Sequence, residues 1–263
     1  FVFSEEDVVY LFEQLFERNL SEDECQFVMQ MTEGWAMAIM LLAYKAKYSQ
    51  EQLFAIAESS FDNFFSYLSA EVFDRLDEQL QLQLLQLGVH QVISVDVITE
   101  LYGEDWVKGV TPKLSELAFV TQLEGGNKYR FHALFRKFLQ QRLQQKYPEQ
   151  FEAFHFEASR YYASHNLGVL AISHAARLQN KLFYTELIIE FAAQLIEAGQ
   201  FEFLLERLKD FTHEQKPYQV LYYEGECQRY RAQYERAKNA YSECFIKAQI
   251  QQDQLFLMRA QFG

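Results

Sequence analysis

Tyr129-Arg130-Phe131-His132-Ala133-Leu134-Phe135-Arg136-Lys137-Phe138-Leu139-Gln140-Gln141-Arg142-Leu143 decides the fold, because the period of its apolar residues identifies a helix and its left flank a turn. Phe131, Leu134, Phe135, Phe138 and Leu139 recur at i, i+3, i+4, i+7 and i+8, one face of an α-helix. Gly125-Gly126-Asn127 stands just before, so a strand is predicted to run straight into that helix. His132 lies at the junction. Open backbone N–H groups and the positive end of a helix dipole there suit an anion such as a phosphate. The same position also suits a side chain that only caps or packs locally.

Working outward, Phe119–Leu123 and Lys128–Phe131 are predicted strands joined by Glu124-Gly125-Gly126-Asn127, a turn composition that tolerates positive φ. Upstream, a helix is expected from Glu71 to Gly88 with Val72, Leu76, Leu80, Leu84 and Leu87 inward. Val95–Tyr102 reads as a second helix and Pro112–Ala118 as a third, with Pro112 in its first turn. Three helices followed by a hairpin make a winged helix. Its ordinary association is DNA, yet the second and third helices carry Asp96, Glu100, Glu104, Asp105 and Glu116, and acids equal bases between Arg75 and Glu149. With a net charge of −13 overall, a structural and switching module is expected, with no direct nucleic-acid binding and no anionic membrane partner.

Toward the start, Ser4-Glu5-Glu6-Asp7 and Ser21-Glu22-Asp23-Glu24 each read as a capped helix opening with acids in the first turn. Leu11, Phe12, Leu15 and Phe16 supply the stripe of the first helix, and Phe27, Val28 and Met31 that of the second. Gly34 ends the second where positive φ is needed. Trp35 then begins a third helix in which Ala36, Ala38 and Ala43 permit close packing. Met31-Thr32-Glu33-Gly34-Trp35-Ala36-Met37-Ala38-Ile39 can therefore be a tight interhelical turn with a core tryptophan, or an aromatic platform for a ligand. Further helices are expected at Gln50–Ser60 and from Phe61 onward, with a domain boundary near Ser69.

Beyond Pro148 the chain reads as helix after helix, turning at Asn166-Leu167-Gly168. Gly225, Ala237, Tyr241 and Cys244 have the spacing of a tetratricopeptide-like hairpin, which Gly263 could begin again. His155, His165 and His174 raise a metal site. Their spacing is not that of ligands on one helical turn, and no acid or cysteine is patterned with them, so packing or surface roles account for them better. Cys25, Cys227 and Cys244 form no C-x-x-C pair and fit a reducing cytoplasm. With 10 Gly and 3 Pro in 263 residues, long helices and short turns are favoured over a β-rich fold. The apolar run Trp35–Tyr44 is too short to span a bilayer. The chain begins at Phe1 without a methionine and is expected to be a piece of something longer.

Four stretches resemble the MalT-like regulators, large bacterial transcription activators of the signal-transducing ATPase class. Tyr-Arg-Phe-His-x-Leu-Phe at 129–135 resembles the end of that family's winged-helix domain. Thr-Glu-Gly-Trp-Ala at 32–36 resembles the hallmark of its helical lid. Tyr67-Leu68-Ser69-Ala70-Glu71-Val72 resembles the segment that joins lid to winged helix, and Tyr161-Tyr162 with Ala171-Ile172-Ser173-His174-Ala175 the first helical pair of its superhelix. The resemblance implies a mainly α chain: a helical lid over 1–68, a winged helix with a short β-hairpin over 69–148, and an α-α superhelical array over 149–263. It implies that His132 meets nucleotide phosphates in the resting, ADP-bound state and that Gly34 and Trp35 lie near the adenine. Many relatives have proline and glycine after the Trp-Ala region; this chain has Ala36, Met37 and Ala38.

No G-x-x-x-x-G-K-[ST] loop occurs, and no apolar strand ends in paired acids to hold magnesium, so the chain is not expected to hydrolyse ATP. No catalytic or metal-binding set is patterned. The resemblance implies a slow ATPase switch in the parent protein, with ADP or ATP bound there and none retained by this chain alone. An inducer or partner protein on the helical array would favour an ATP-bound, self-associating form. The alternative is a stand-alone helical-repeat adaptor that binds a protein and never meets a nucleotide.

Overall fold

Two reciprocally capped helices open the chain. The computed structural model describes residues 3–48, 68, 70, 73–117, 119–123, 125–212 and 216–262. In α1 (Glu5–Phe16) the Ser4 hydroxyl accepts from the Asp7 amide while the Asp7 carboxylate accepts from the Ser4 amide. In α2 (Glu22–Thr32) Ser21 and Glu24 repeat the device. Each box satisfies amides that the first turn of a helix leaves open. The third helix, α3 (Ala36–Tyr48), buries Ile39, Leu42, Ala43 and Ala46 against Val8, Leu11, Phe12, Phe16, Cys25 and Val28.

Two expected stripes shift here. Val8, Phe12 and Phe16 stand four apart with Leu11 beside them, which turns the buried face away from Leu15, 57% exposed. On α2 the buried set is Cys25, Val28 and Thr32, with Phe27 and Met31 only half-buried. The helices expected at Gln50–Ser60 and from Phe61 fall almost wholly outside the described residues, as do Glu71 and Val72.

The next helix is α4 (Glu78–Leu87), preceded by a short 3-10 turn at Phe73–Arg75. A single helix from Glu71 is thus corrected: Asp77 caps α4 by accepting from the Leu80 amide at 2.8 Å, and an N-cap residue is not itself helical. Strand β1 (Ile93–Ser94) leads into α5 (Val95–Tyr102), and Gly103 with φ 90° leads into α6 (Glu104–Glu116). The expected start at Pro112 is wrong, because Pro112 sits inside α6. Val107, Val110 and Leu114 form a buried stripe across it, and that burial outweighs the lost amide donor. Strands β2 (Val120–Gln122) and β3 (Lys128–Phe131) close a three-stranded antiparallel sheet of order β1-β3-β2. Ile93 pairs with Tyr129, and Val120 with Phe131. The hairpin turn puts Gly125 at φ 92° and Gly126 at φ 76°.

From β3 the chain enters α7 (Ala133–Lys146), which packs on α4 and α2. Leu134, Phe135, Phe138, Leu139 and Leu143 are buried along it. Phe135 is fully enclosed, its ring 3.7 Å from that of Phe119 and 5.7 Å from that of Phe131, centre to centre. Arg142 lies over Phe73 and pairs with Asp74.

Residues 1–150 and 151–263 form two compact units. The second is built from α8 (Pro148–Ser164), α9 (Gly168–Ala175), α10 (Lys181–Glu197), α11 (Phe201–Leu208), α12 (Tyr218–Tyr230), α13 (Tyr234–Gln251) and α14 (Gln254–Phe262). Successive helices pack on one another, most extensively α12 on α13. Gly225 makes that contact possible: a Cβ there would stand 2.5 Å from the Tyr241 ring. Gly263 lies outside the described residues. The chain is mainly α, and a small three-stranded sheet lies in a winged helix.

Candidate functional site

The end of α2 and the start of α7 supply the parts of this site. An α-helix leaves its last carbonyls and first amides without helical partners. Glu33 at φ 46° and Gly34 at φ 74° turn the chain sharply out of α2, so the Thr32 carbonyl emerges from the helix end. Gly34 is buried, its carbonyl accepting from Phe3 N–H at 2.8 Å, and glycine adopts this left-handed backbone without the cost a side chain imposes. At the other end, β3 delivers His132 as the N-cap of α7, its backbone N–H held by the Phe119 carbonyl at 2.9 Å.

The His132 imidazole spans the two ends. Its Nδ1 accepts from the Leu134 N–H at 3.3 Å, and its Nε2 lies 2.5 Å from the Thr32 carbonyl oxygen. An amide N–H can only donate and a carbonyl can only accept, so the proton sits on Nε2 and the ring is neutral. Electrostatics agree with the bonding. Burial holds His132 below the ordinary histidine range, against the opposing pull of the Thr32 carbonyl and Glu33, and Arg130 adds to the lowering. The Glu33 carboxylate, 3.9 Å from Nε2, is therefore a neighbour of a neutral donor and not an ion-pair partner.

Trp35 completes the site. Its ring centre lies 4.8 Å from that of His132 at an interplanar angle of 49°. Its backbone N–H donates to the same Thr32 carbonyl at 2.8 Å, and its carbonyl accepts from Ile39 to start α3. Of the three residues singled out in the sequence, His132 and Trp35 touch, and Gly34 makes the turn that brings them together. Thr32 and Glu33 join them. The signal for Thr32 was present in Thr-Glu-Gly, where a helix stopped by two left-handed residues must leave carbonyls to be satisfied elsewhere.

The expectation of open amides at the start of α7 needs one correction, since the Leu134 N–H is taken by the histidine ring itself. The imidazole Nε2–H is thus the polar donor that this junction can redirect.

Other titratable groups lie apart. His90, 1% exposed, contacts the Tyr102 hydroxyl at 3.3 Å, and burial with nearby Arg136 lowers its pKa to about 4. In the second unit His155 and His174 face each other through Nδ1 atoms 3.1 Å apart, whereas His165 stacks on Tyr161 at the surface. Among the described residues no group of three His, Cys, Asp or Glu side chains could hold a metal. Asp96, Glu100, Glu104, Asp105 and Glu116 are all exposed on α5 and α6. An open groove of about 740 Å³ is lined by Arg229, Tyr234, Lys238, Tyr241 and Phe245 from α12 and α13, with Ala260 from α14. No helix among the described residues is long and apolar enough to cross a membrane.

Residues 69–151 match the family model described as the MalT winged helix domain. Over 204 residues, 75% of the chain, the sequence is 28% identical to the HTH-type transcriptional regulator MalT of Vibrio parahaemolyticus, covering 23% of that protein. The Vibrio cholerae protein of the same name is 26% identical over 208 residues, 77% of the chain and 23% of its own length. That of Yersinia pestis is 22% identical over 277 aligned positions, 99% of the chain and 30% of its own length. The chain therefore spans about a quarter of the length of these curated relatives and is MalT-like, at low identity, over most of its own.

Proposed function

We propose that this MalT-like chain is the regulatory part of a cytoplasmic transcription regulator whose nucleotide state sets its assembly. With ADP bound in the parent protein, the lid and winged helix close over the nucleotide, His132 meets its phosphates, and Gly34 and Trp35 lie near the adenine. An inducer or partner protein on the tetratricopeptide-like array favours an ATP-bound form that self-associates. Such a ligand shifts the balance only by binding that form more tightly.

One observation carries this reading. The lid loop and the winged helix, about a hundred residues apart in sequence, meet at a neutral imidazole whose single N–H points at an acceptor. Hydrolysis is assigned to another part of the parent, because this chain has no phosphate loop and no means to stabilise charge during phosphoryl transfer. DNA contact is assigned elsewhere too, since the exposed carboxylates of α5 and α6 repel a phosphate backbone. The groove along α12 and α13 offers a surface for the partner, and it would equally serve an adaptor that never binds a nucleotide.

Nucleotide content of the purified parent protein separates the two. His132→Ala is expected to lose retained ADP and to associate without inducer. Retention equal to that of the unmodified protein would sink the nucleotide reading and leave the adaptor.

A further inference from the structure

The phosphate-sensing role of His132 proposed above is the premise here, and the bonding around its ring gives that role a mechanism. Nδ1 is committed to the Leu134 amide, so the imidazole has one proton to give, and that proton already has an acceptor on the lid. We infer that the Thr32 carbonyl and a phosphate oxygen compete for the single Nε2–H of His132. Binding of a phosphate-bearing ligand thus replaces the direct tie between lid and winged helix with one that runs through the ligand.

Three features make the exchange feasible. The Thr32 carbonyl also accepts from the Trp35 N–H at 2.8 Å, so it keeps a hydrogen bond when His132 turns to another acceptor. A buried carbonyl with no second donor would resist the exchange strongly. The Thr32 hydroxyl is occupied by the Val28 carbonyl at 2.7 Å and cannot take over the role of the imidazole. Finally, the His132 side chain is 13% exposed beside Trp35, so Nε2 lies at a partly open junction and not inside a sealed core.

The test uses this chain, ring ¹⁵N spectra of His132, amide exchange across α2 and α3, and inorganic pyrophosphate as the probe. Unmodified protein is expected to show a protonated Nε2 and a bare Nδ1. His132→Asn keeps an N-cap acceptor for α7 but cannot reach Thr32, so α2 and α3 amides should exchange about ten-fold faster, the weight of one net hydrogen bond. Exchange in β3 should stay slow, reporting a folded winged helix. Pyrophosphate should move the Nε2 resonance of the unmodified protein and raise its lid exchange toward the variant's rate.

Unchanged lid exchange in His132→Asn, or a proton on Nδ1, overturns the competition. If pyrophosphate moves the Nε2 resonance while lid exchange stays slow, the phosphate reading survives and the competition falls. If the resonance does not respond at all, the competition falls, and ADP retention by the parent protein and its His132→Ala variant decides the phosphate reading. Should His132→Asn fail to fold, the pyrophosphate titration of the unmodified protein decides alone.

Discussion

Histidines of the two units stand in opposite chemical settings. His132 lies between a donor and an acceptor that belong to two helix ends, and this asymmetry assigns its proton to Nε2. His155 and His174, 4% and 6% exposed, meet Nδ1 to Nδ1 across 3.1 Å, and either ring can supply the proton between them. A polarised ring can be switched by whatever competes for its one donor, whereas a like pair with its neighbours Phe151 and Tyr162 is a packing element. The wider architecture follows the same division. In the first unit an aromatic core joins segments distant in sequence, whereas in the second helices stack on near neighbours.

The sharpest way to break this comparison is to remove the centre of the first unit. Phe135 is fully buried and touches Phe119, Phe131 and Phe138, which come from three segments. Phe135→Ala is expected to destabilise the first unit by about 3–5 kcal/mol, lost burial plus the cavity left behind. Amide exchange should rise in β3 and α7 and stay unchanged in α12 and α13. Equal loosening of both units would show that the aromatic core is not the organising element of the first alone.

Acid supplies the next largest effect. His90 has a folded pKa of about 4 against an ordinary value of 6.5. Between those two values the unfolded chain binds a proton that the folded chain refuses, so stability is full above pH 6.5 and falls as pH drops toward 4. The loss attributable to this one group amounts to about 3 kcal/mol at the lower end. Carboxylates add their own acid sensitivity, so the informative quantity is the difference between the unmodified protein and His90→Gln. Urea unfolding of the first unit at several pH values is expected to show a shallower acid slope in the variant. Identical slopes would mean that His90 is protonated as readily in the fold as out of it.

Much of this architecture was legible because its causes are local. Ser4 with Asp7 and Ser21 with Glu24 announce two helix starts, and the Phe131-Leu134-Phe135-Phe138-Leu139 spacing gives the buried face of α7. Gly125-Gly126 marks the hairpin because it supplies positive φ at consecutive positions. What stayed hidden depends on partners far along the chain. Strand β1 is two residues long, too short to alternate, and exists because β3 offers it hydrogen bonds. Pro112 reads as a helix start until the burial of Val107, Val110 and Leu114 shows the helix already under way. At the site, His132, Gly34 and Trp35 could be picked from residue type. The acceptor on Thr32 is a backbone carbonyl: Thr-Glu-Gly signals that carbonyls are left open at this helix end, but not that His132, a hundred residues on, is the donor that reaches one. The His155–His174 contact is likewise invisible as spacing, since α8 and α9 create it.

The smallest effect tests whether close helix contact is the rule of the second unit. Gly225 lies inside α12 with the Tyr241 ring where its Cβ would be, and Tyr241 is held in place by a hydrogen bond from its hydroxyl to Glu226 at 2.5 Å. Alanine favours a helix over glycine by about 1 kcal/mol, so Gly225→Ala would stabilise α12 if the site had room. Overpacking by a methyl group costs about 1–3 kcal/mol, and the anchored ring cannot slide aside without giving up Glu226. The net expectation is destabilisation of the second unit by up to about 2 kcal/mol. Tyr241→Leu removes the ring edge that the methyl group meets, so the double variant should lose less than the two single losses added together. Strict additivity in urea unfolding would show that the methyl group never meets the ring. The α12–α13 contact would then owe its closeness to something other than the missing side chain.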